Sequence, residues 1–435
     1  MSAEKLSGDP AKHSLTISLL RSDISFYAGI NMAFFLTVIL FFAGLLFDPF
    51  KIQYSLFFRS FYDLFADFFN HIIYVSEGSP YLADDQTAAD RVLPPLHYLL
   101  AYGVRQFIDC PMTLESMWKD KTAMGCAITF LAFSEVFLLV MLSKITEGKN
   151  KFLPLLMVLF SGVNMFAVER GTMVIFTTGC IAGFLHCYDS TERKKQIFSL
   201  ILLSLAASLK IYPALFGLFL LKKRDFKAVL FCIVLTAGLG FLPLLMFKGG
   251  FSNIDILFGN LEKYREFYAL SSQDKVLTGL LMHRFGIKSH REIIELLRVV
   301  IDIIAITTCC IAFLNNNRER LTLAIAAVIA LCPEGAMPYT QLYLFIPFLM
   351  FLNRVSVINN KLDIFMAAGY ILLLMPYQLE KKTNELFILF VLPAMLAAQC
   401  LLEIYELGKS GKNFRQIITD CFKEKTASIC PTKKS

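Results

Sequence analysis

The sequence predicts an all-α, polytopic membrane protein with about twelve membrane segments. Of its 435 residues, 56% are hydrophobic and 18% are charged, whereas soluble domains average roughly 45–50% apolar and about 25% charged residues. Apolar runs of membrane-spanning length recur to the C-terminal end of the chain. Because a helix satisfies its own backbone hydrogen bonds in hydrocarbon, these runs are expected to cross the membrane as helices.

The distribution of charge and cysteine excludes several function classes. The net charge of +7 comes from Lys and Arg scattered through short loops and both ends of the chain. This pattern is typical of cytoplasmic loops that face anionic lipid, so no nucleic-acid partner is expected. Most of the 11 Cys lie in apolar segments, and no CxxC or Cys/His cluster indicates a zinc or redox site. Residues 1–21 lack the features of a cleaved signal peptide.

The positive-inside rule divides the chain into one membrane domain and two tails. Residues 1–25 are predicted to form a cytoplasmic tail, residues 26–405 the membrane domain, and residues 406–435 a basic cytoplasmic tail. The first span is expected at 26–47. Two long external loops, at 48–122 and 248–293, are expected to carry helices that lie on the membrane surface.

The apolar run at 93–108 belongs to the first external loop in this topology. It is short, begins with a Pro pair and contains His97 and Arg105, so a helix lying along the outer surface is predicted. A true span is the alternative. The next span is expected at 123–143, and without a crossing at 93–108 the basic loop at 144–151 faces the cytoplasm, as the rule prefers.

The apolar run at 197–221 is interrupted at Lys210-Ile211-Tyr212-Pro213 and has basic residues on both sides. A single crossing would put one basic flank on the wrong side of the membrane. Two short half-helices around the break are therefore predicted, an arrangement that often marks a binding site. A Lys within such a segment is a functional candidate.

Charged residues collect on the outer side in this topology, where Asp67, Arg170, Lys210 and the turn at 333–341 all fall. An ionised Asp67 just outside the bilayer can act as a general base on a hydroxyl group, and a helix cap or a solvated loop acid is the alternative. Asp63, four residues earlier, would share a helix face with Asp67 and is the alternative base.

Arg170 and Lys210 are the candidate phosphate-binding residues. Arg can donate two parallel hydrogen bonds to a phosphate and stays charged, and Lys adds a point charge. An internal pair of Arg170 with Glu169, or snorkelling of either cation to the surface, is the alternative.

Candidate sugar- or acceptor-binding residues are polar and aromatic. Tyr339 and Gln341 follow a Pro-flanked turn, where an aromatic belt at the membrane interface is the alternative interpretation. The full set of candidate sugar- or acceptor-binding residues is Glu169, Tyr212, Tyr339, Gln341 and His71.

No metal site is predicted, because the His residues show no ligand pattern.

Short segments from the first external loop to the break at Lys210 carry a family resemblance. They are Asp67-Phe68, Tyr74, Gly78-Ser79-Pro80-Tyr81, Pro94-Pro95-Leu96, Glu169-Arg170-Gly171 and Ala207-Ser208-Leu209-Lys210-Ile211-Tyr212-Pro213. In this order, they resemble the motifs of the GT-C glycosyltransferases, in particular the polyprenyl-phosphate-mannose-dependent α-mannosyltransferases, and the resemblance covers about residues 26–400. At the late turn, Cys332-Pro333 occupies the position of a Ser-Pro pair, and Tyr339 and Gln341 stand where a His would be expected.

The resemblance implies a GT-C-like fold and a polyprenyl-phosphate sugar as donor, carrying mannose or another hexose. Asp67 would deprotonate the hydroxyl of a lipid-linked or cell-envelope glycan acceptor, and polyprenyl phosphate would leave with inversion. Arg170 and Lys210 would neutralise the charge on the leaving phosphate. The reaction would run on the external face of the plasma (inner) membrane, without metal or bound cofactor. A transporter or flippase of lipid-linked sugars and a polysaccharide polymerase or ligase are the alternatives.

Overall fold

The structure is a computed structural model, and it describes most of the region from residue 63 to residue 409. The predicted first span at 26–47, apart from the helical Ile39, lies outside the described residues, as does the predicted tail at 1–25. Of the predicted tail at 406–435, only residues 406–409 and Gln416 are described. The described residues are 39, 63–83, 87–147, 152–270, 291–315, 317–333, 337–354, 361–374, 387–409 and 416.

Every regular element among these residues is a helix, which confirms the all-α prediction for them. Shorter 3₁₀ segments connect several of the α-helices, notably Tyr212–Gly217 and Pro338–Leu344. The α-helices are α1 Ala66–Ser76, α2 Pro95–Arg105, α3 Leu114–Lys119, α4 Lys121–Ile145, α5 Phe152–Leu159, α6 Gly162–Arg170, α7 Val174–Cys187, α8 Arg193–Leu209, α9 Leu218–Lys222, α10 Phe226–Phe241, α11 Asn253–Leu270, α12 Arg291–Leu314, α13 Arg318–Leu331, α14 Phe345–Arg354, α15 Lys361–Leu373 and α16 Leu392–Lys409.

Three helices in the described part of the chain are long and apolar enough to cross a membrane. They are Lys121–Ile145, Phe226–Met246 and Leu296–Leu314. The pair α5 and α6 would make a fourth if it is one broken span. These helices support a membrane protein, but the predicted count of about twelve segments is not confirmed by the described residues.

The candidate spans and the inner helices differ in the side chains that they expose. Phe133 on α4, Ile233 on α10 and Ile303 on α12 are large apolar residues that point away from the protein. By contrast, α7 is buried at every position except Phe176 and His186. An apolar helix exposed to its surroundings fits lipid contact, whereas a helix enclosed on all sides belongs to a protein core. The core therefore forms around α7, with candidate spans outside it.

The predicted helix at 93–108 is α2, which has 11 residues. At 1.5 Å per residue it is about 16 Å long, roughly half the thickness of a hydrocarbon core. Pro95 at its first turn lacks the N–H that would be unsatisfied there, which explains why the helix begins at the Pro pair. The length supports a surface or dipping helix rather than the alternative of a span.

The predicted break in 197–221 is confirmed at Lys210. Helix α8 ends at Leu209, Lys210 is extended with φ −146° and ψ 128°, and a 3₁₀ segment then leads to α9. Pro213 lacks a backbone N–H and so cannot continue an α-helix. The first piece is longer than a half-helix, since α8 has 17 residues.

The apolar run at 152–168 is not one straight helix. It breaks after α5 and resumes as α6 with a bend of 52°. The hydroxyl of Ser161 accepts a hydrogen bond from the backbone N–H of Asn164 at 3.2 Å, so Ser161 caps the second helix. This cap starts a new helix inside an otherwise apolar run.

The two predicted external loops pack against each other through α11. Ser79 Oγ donates a hydrogen bond to Asn253 Oδ1 at 2.7 Å. Asn260 Nδ2 donates to the backbone carbonyls of Tyr81 at 2.9 Å and Arg91 at 3.2 Å. Because these hydrogen-bonding groups are buried, the two loops pack together as one unit rather than as two independent insertions.

Candidate active site

Asp67 and Arg170, which are 103 residues apart, form an ion pair at the junction of α1 and α6. Arg170 donates hydrogen bonds from Nε, at 2.9 Å, and from Nη2 to the same oxygen, Oδ1 of Asp67. Its third donor, Nη1, bonds Oδ1 of Asp63 at 2.8 Å. The side chain of Asp67 is 15% exposed and that of Asp63 is 36% exposed. The structure thus brings together both candidate bases and one candidate phosphate ligand.

The backbone around Gly171 sets this geometry. Helix α6 ends in a Schellman motif, in which Gly171 N–H bonds the Val168 carbonyl and Thr172 N–H bonds the Ala167 carbonyl. Gly171 has φ 67°, a conformation that favours glycine.

The close approach of α1 also favours glycine at this position. A Cβ on Gly171 would lie 3.0 Å from Cβ of Phe68 and 3.2 Å from Cα of Phe65. Phe65 N–H also donates to the Glu169 carbonyl at 2.6 Å. The start of α1 is therefore fixed on the end of α6, and Asp67 faces Arg170.

Lys210 joins this cluster from the break after α8. Lys210 is 9% exposed, and its ammonium interacts electrostatically with Asp67 and with His71. Lys210 forms no ion pair within the described part of the chain. The cluster therefore contains one cation that carboxylates already hold, Arg170, and one that remains open to an anion.

The Pro338–Leu344 segment brings Tyr339 to the same place. Its ring stacks on Phe166 with centroids 5.9 Å apart, and its hydroxyl is within hydrogen-bonding reach of Asp67. Burial and the nearby Asp67 carboxylate raise the pKa of Tyr339 well above its usual value. The phenol stays protonated at neutral pH and can donate to an oxygen atom in the cluster.

Of the other predicted sugar- or acceptor-binding residues, Tyr212 lies near these charges. Tyr212 interacts electrostatically with Asp67 and Tyr339. Glu169 and Gln341 are both buried, at 0% and 1% exposure. A ligand would need to enter the protein to reach either of these two side chains.

His71 lies on α1, one helical turn after Asp67, and pairs with His97 on α2. His71 Nδ1 and His97 Nε2 are 2.8 Å apart, and the rings meet edge to face at 82°. Burial first, and then the charges of Lys210 and Arg170, lower the pKa of His71 well below its usual value. Burial also lowers the pKa of His97. Both imidazoles are therefore neutral at physiological pH.

An apolar cavity of about 350 Å³ adjoins the charged cluster. Three of its lining residues are the chain neighbours of the charged residues: Phe68 follows Asp67, Gly171 follows Arg170, and Leu209 precedes Lys210. Apart from His71 and His97, its walls are apolar. The site therefore combines a charged centre with an apolar cavity beside it.

Two residues at the site were not predicted from the sequence. His97 pairs with His71, and Tyr264 on α11 interacts electrostatically with the hydroxyls of Tyr212 and Tyr339. No motif marks either residue. The one signal was the aromatic, amphipathic character of the segment around Tyr264, which suggested a surface helix but not its position over the site.

The described residues contain no group of three or more His, Cys, Asp or Glu side chains that could hold a metal ion. Independence from metal stays a prediction. The charged cluster offers hydrogen-bond donors, the two cations Arg170 and Lys210, and the carboxylates of Asp63 and Asp67. This set fits stabilisation of a phosphate and removal of a proton.

Comparison with protein families indicates a class of enzyme for this site. Residues 120–333, just under half of the chain, match the family model for glycosyltransferase family 87. The chain matches no curated protein and no solved structure. The matched part contains Arg170 and Lys210, whereas Asp67 and Tyr339 lie on either side of it. The match does not confirm the mannosyltransferase group. It confirms the resemblance to GT-C glycosyltransferases read from the sequence: residues 120–333 are similar to glycosyltransferase family 87, a GT-C-type family, and this similarity implies membrane glycosyltransferase activity.

Proposed function

We propose that this protein transfers a hexose, mannose being the first candidate, from a polyprenyl-phosphate donor to a lipid-linked or cell-envelope glycan acceptor. The reaction inverts the anomeric centre, with Asp67 as general base. It takes place on the external face of the plasma (inner) membrane, and it needs no metal or bound cofactor. The partners are the donor, the acceptor and membrane lipids, with no nucleic acid.

This proposal rests on a difference between two neighbouring cations: carboxylates bind one of them, Arg170, and none forms an ion pair with the other, Lys210, in the described part of the chain. Arg170 is engaged by Asp67 and Asp63, whereas Lys210 is buried beside them and forms no ion pair in the described part of the chain. A buried, unpaired ammonium is costly without an anion. A donor phosphate supplies that anion, and it does so next to a carboxylate that can accept a proton.

The apolar cavity supports a lipid as the carrier of that phosphate. It borders the charged cluster through Phe68, Gly171 and Leu209. A cavity of this kind can bury apolar surface at about 25 cal/mol per Å². An amphiphile with an anionic head and an isoprenoid chain would place its head at Lys210 and the first part of its chain in the cavity.

The transfer step follows from these positions. Both hydrogen bonds from Arg170 to Asp67 go to Oδ1, so Arg170 leaves Oδ2 of Asp67 able to take a proton. The acceptor oxygen attacks the anomeric carbon as Asp67 removes its proton, and the bond from that carbon to the phosphate oxygen breaks. Lys210 and Arg170 stabilise the additional negative charge on the phosphate.

The sugar and the acceptor are expected to contact Glu169, Tyr212, Tyr339, Gln341 and His71. Tyr339 can donate a hydrogen bond because its phenol stays protonated. Glu169 and Gln341 are buried, which fits a sugar that is enclosed rather than bound at the surface. Asp63 remains the alternative base.

The test uses the full-length protein in lipid nanodiscs with polyprenyl-phosphate mannose, other polyprenyl-phosphate hexoses and a panel of glycolipid acceptors. Transfer of the sugar with inversion, lost in Asp67→Asn, supports the proposal. Movement of labelled donor lipid across a proteoliposome membrane without any transfer would instead favour a transporter or flippase. Addition of whole glycan chains to an acceptor would favour a polymerase or ligase.

A further inference from the structure

His71 and Asp67 face the same way on α1. They are four residues apart on a continuous helix, and side chains at that spacing are neighbours, with Cβ atoms about 5–6 Å apart. His71 also contacts His97, which approaches from α2. Helix α1, in the first predicted external loop, thus carries the proposed base, Asp67, and an imidazole, His71, that contacts a second imidazole, His97.

The two imidazoles can pair in two tautomeric arrangements, because Nε2 of His97 and Nδ1 of His71 are 2.8 Å apart and either can be the donor. His97 is 3% exposed, and its Nδ1 has no hydrogen-bond partner among the described residues. The backbone of Leu209 raises the pKa of His97, and a carbonyl oxygen can only accept, which favours the arrangement with the proton of His97 on Nδ1. In that arrangement, Nε2 of His97 accepts a hydrogen bond from Nδ1–H of His71.

This tautomer leaves Nε2 of His71 with a free lone pair. Within the described part of the chain, His71 forms a hydrogen bond at Nδ1, to His97, and none at Nε2. His71 is therefore a neutral imidazole whose second nitrogen can accept a proton. Charged and titratable groups face the two imidazoles from every side: Asp67 and Tyr74 from α1, Tyr98 from α2, Arg170 from α6 and Lys210 from the break after α8.

The cations that suppress the basicity of His71 are the ones proposed to hold the phosphate. Lys210 and Arg170 both lower the pKa of His71. When the donor bond breaks, the phosphate gains negative charge beside them and offsets their effect. His71 thus becomes a better proton acceptor at the step in which Asp67 has just become protonated.

We propose that the proton released by glycosyl transfer passes from Asp67 to Nε2 of His71, and that His97 is the positioning residue that fixes the tautomer of His71. This inference rests on the proposed function. The acceptor oxygen bonds the anomeric carbon, the electron pair of the broken bond stays on the phosphate, and the hydroxyl proton moves to Asp67 and then to His71. The imidazolium releases it to water as the product leaves, and Asp67 is restored as a carboxylate for the next turnover.

The experiment compares His71→Gln and His97→Gln with wild-type protein in nanodiscs, using the donor and acceptor on which wild type is active. His186→Gln is the matched control, because His186 is an exposed histidine on α7 that the site does not use. For each variant, kcat, the donor KM, the pH dependence of kcat, the melting temperature and recovery by added imidazole are measured.

His71→Gln is expected to lower kcat roughly 100-fold, to change the donor KM much less than kcat and to recover part of its rate when imidazole is added. His97→Gln is expected to lower kcat less and to shift the pH profile. Wild-type kcat and pH profile in His71→Gln would overturn the inference. A loss of kcat that imidazole does not restore and that accompanies a fall in melting temperature would also overturn it, because it would indicate a structural role.

The proposed function can fail separately. No transfer by wild-type protein with any polyprenyl-phosphate hexose, or full transfer by Asp67→Asn, overturns the proposed function itself. Transfer by wild type, its loss in Asp67→Asn and normal kinetics in His71→Gln overturn the proton path alone.

Discussion

Arg170 binds Asp67 through two donors that converge on one carboxylate oxygen, and it binds Asp63 through a single donor. The two carboxylates are therefore unequal. Asp67 is held in one orientation and is the more enclosed of the two, with 15% of its side chain exposed against 36% for Asp63. A base must be both held and accessible to its substrate on one side, and Asp67 meets both conditions.

The first prediction separates the two candidate bases. Asp67→Asn is expected to lower kcat by about 100-fold or more, because an amide cannot accept the hydroxyl proton. Asp63→Asn is expected to lower it by less than about tenfold, since it removes one partner of Arg170 and no base. Steady-state transfer assays on both variants check this, and a larger loss in Asp63→Asn would reverse the assignment.

The second prediction concerns the shape of the guanidinium group. Arg170→Lys keeps the charge but cannot reach Asp67 and Asp63 with three fixed donors, so kcat/KM is expected to fall about 10- to 100-fold. The control is Arg105→Lys on α2, where the guanidinium bonds the Ile108 carbonyl away from the cluster. Equal activity in the two variants would show that only charge matters at residue 170.

The third prediction concerns the open cation. Lys210→Gln is expected to raise the donor KM about tenfold or more, because it removes the unpaired charge that the phosphate would meet. Lys248→Gln, at an exposed lysine, is the control and should leave the donor KM unchanged. Donor binding measured on the Asp67→Asn background separates affinity from chemistry, and unchanged affinity in the double variant would count against phosphate binding by Lys210.

The fourth prediction tests the backbone junction. Gly171→Ala adds a Cβ within 3.0 Å of Phe68 at a residue with φ 67°, so it is expected to destabilise the protein by about 1–3 kcal/mol. It should also reduce transfer, because α1 must move away from α6. Gly103→Ala on α2 is the control, since a Cβ there meets no atom within 4 Å. Thermal unfolding of both variants gives the comparison, and equal stability would show that the junction tolerates a side chain.

The fifth prediction is a pH dependence of stability. The pKa values of His71 and His97 are lowered in the folded protein. Below about pH 6.5, the usual pKa of histidine, the unfolded chain therefore binds more protons than the folded protein does. Their contribution to stability is complete above that pH and is lost as the pH falls below it, by at most about 1.4 kcal/mol per group and pH unit. Melting temperatures measured from pH 7.5 to 5 should fall less in a His71→Gln/His97→Gln double variant than in wild type. Parallel curves would show that other groups control acid stability.

The sequence was sufficient for the charged centre because its residues are chemically conspicuous. A Lys three residues before a Pro within an apolar run, and an Arg-Gly pair between two apolar runs, are costly features that the predicted topology places on one side. The structure brings Asp67, Asp63, Arg170, Lys210 and Tyr339 together, which is consistent with their predicted placement on one side; that topology itself stays a prediction. The break at Lys210 was also predictable, since Pro213 cannot continue a helix.

The contacts between the loops were not predictable from the sequence. The pairing of His71 with His97 depends on how α2 folds back on α1, and neither residue belongs to a motif. The docking of α11 on the first loop depends on amides such as Asn260 that bond backbone carbonyls, and these bonds leave no periodic pattern. The bend between α5 and α6 came from one capping serine within an apolar run.

The charges of the cluster have a consequence for how a donor would be selected. Arg170 and Lys210 carry two formal positive charges, and Asp63 and Asp67 carry two negative ones, so these four side chains together are electroneutral. A neutral quartet exerts little long-range attraction on an anion. A phosphate would be recognised only at contact distance, and most of the discrimination between donors would then come from the part of the molecule that fills the apolar cavity beside it. Under this arrangement, shortening the lipid chain should weaken binding more than raising the salt concentration.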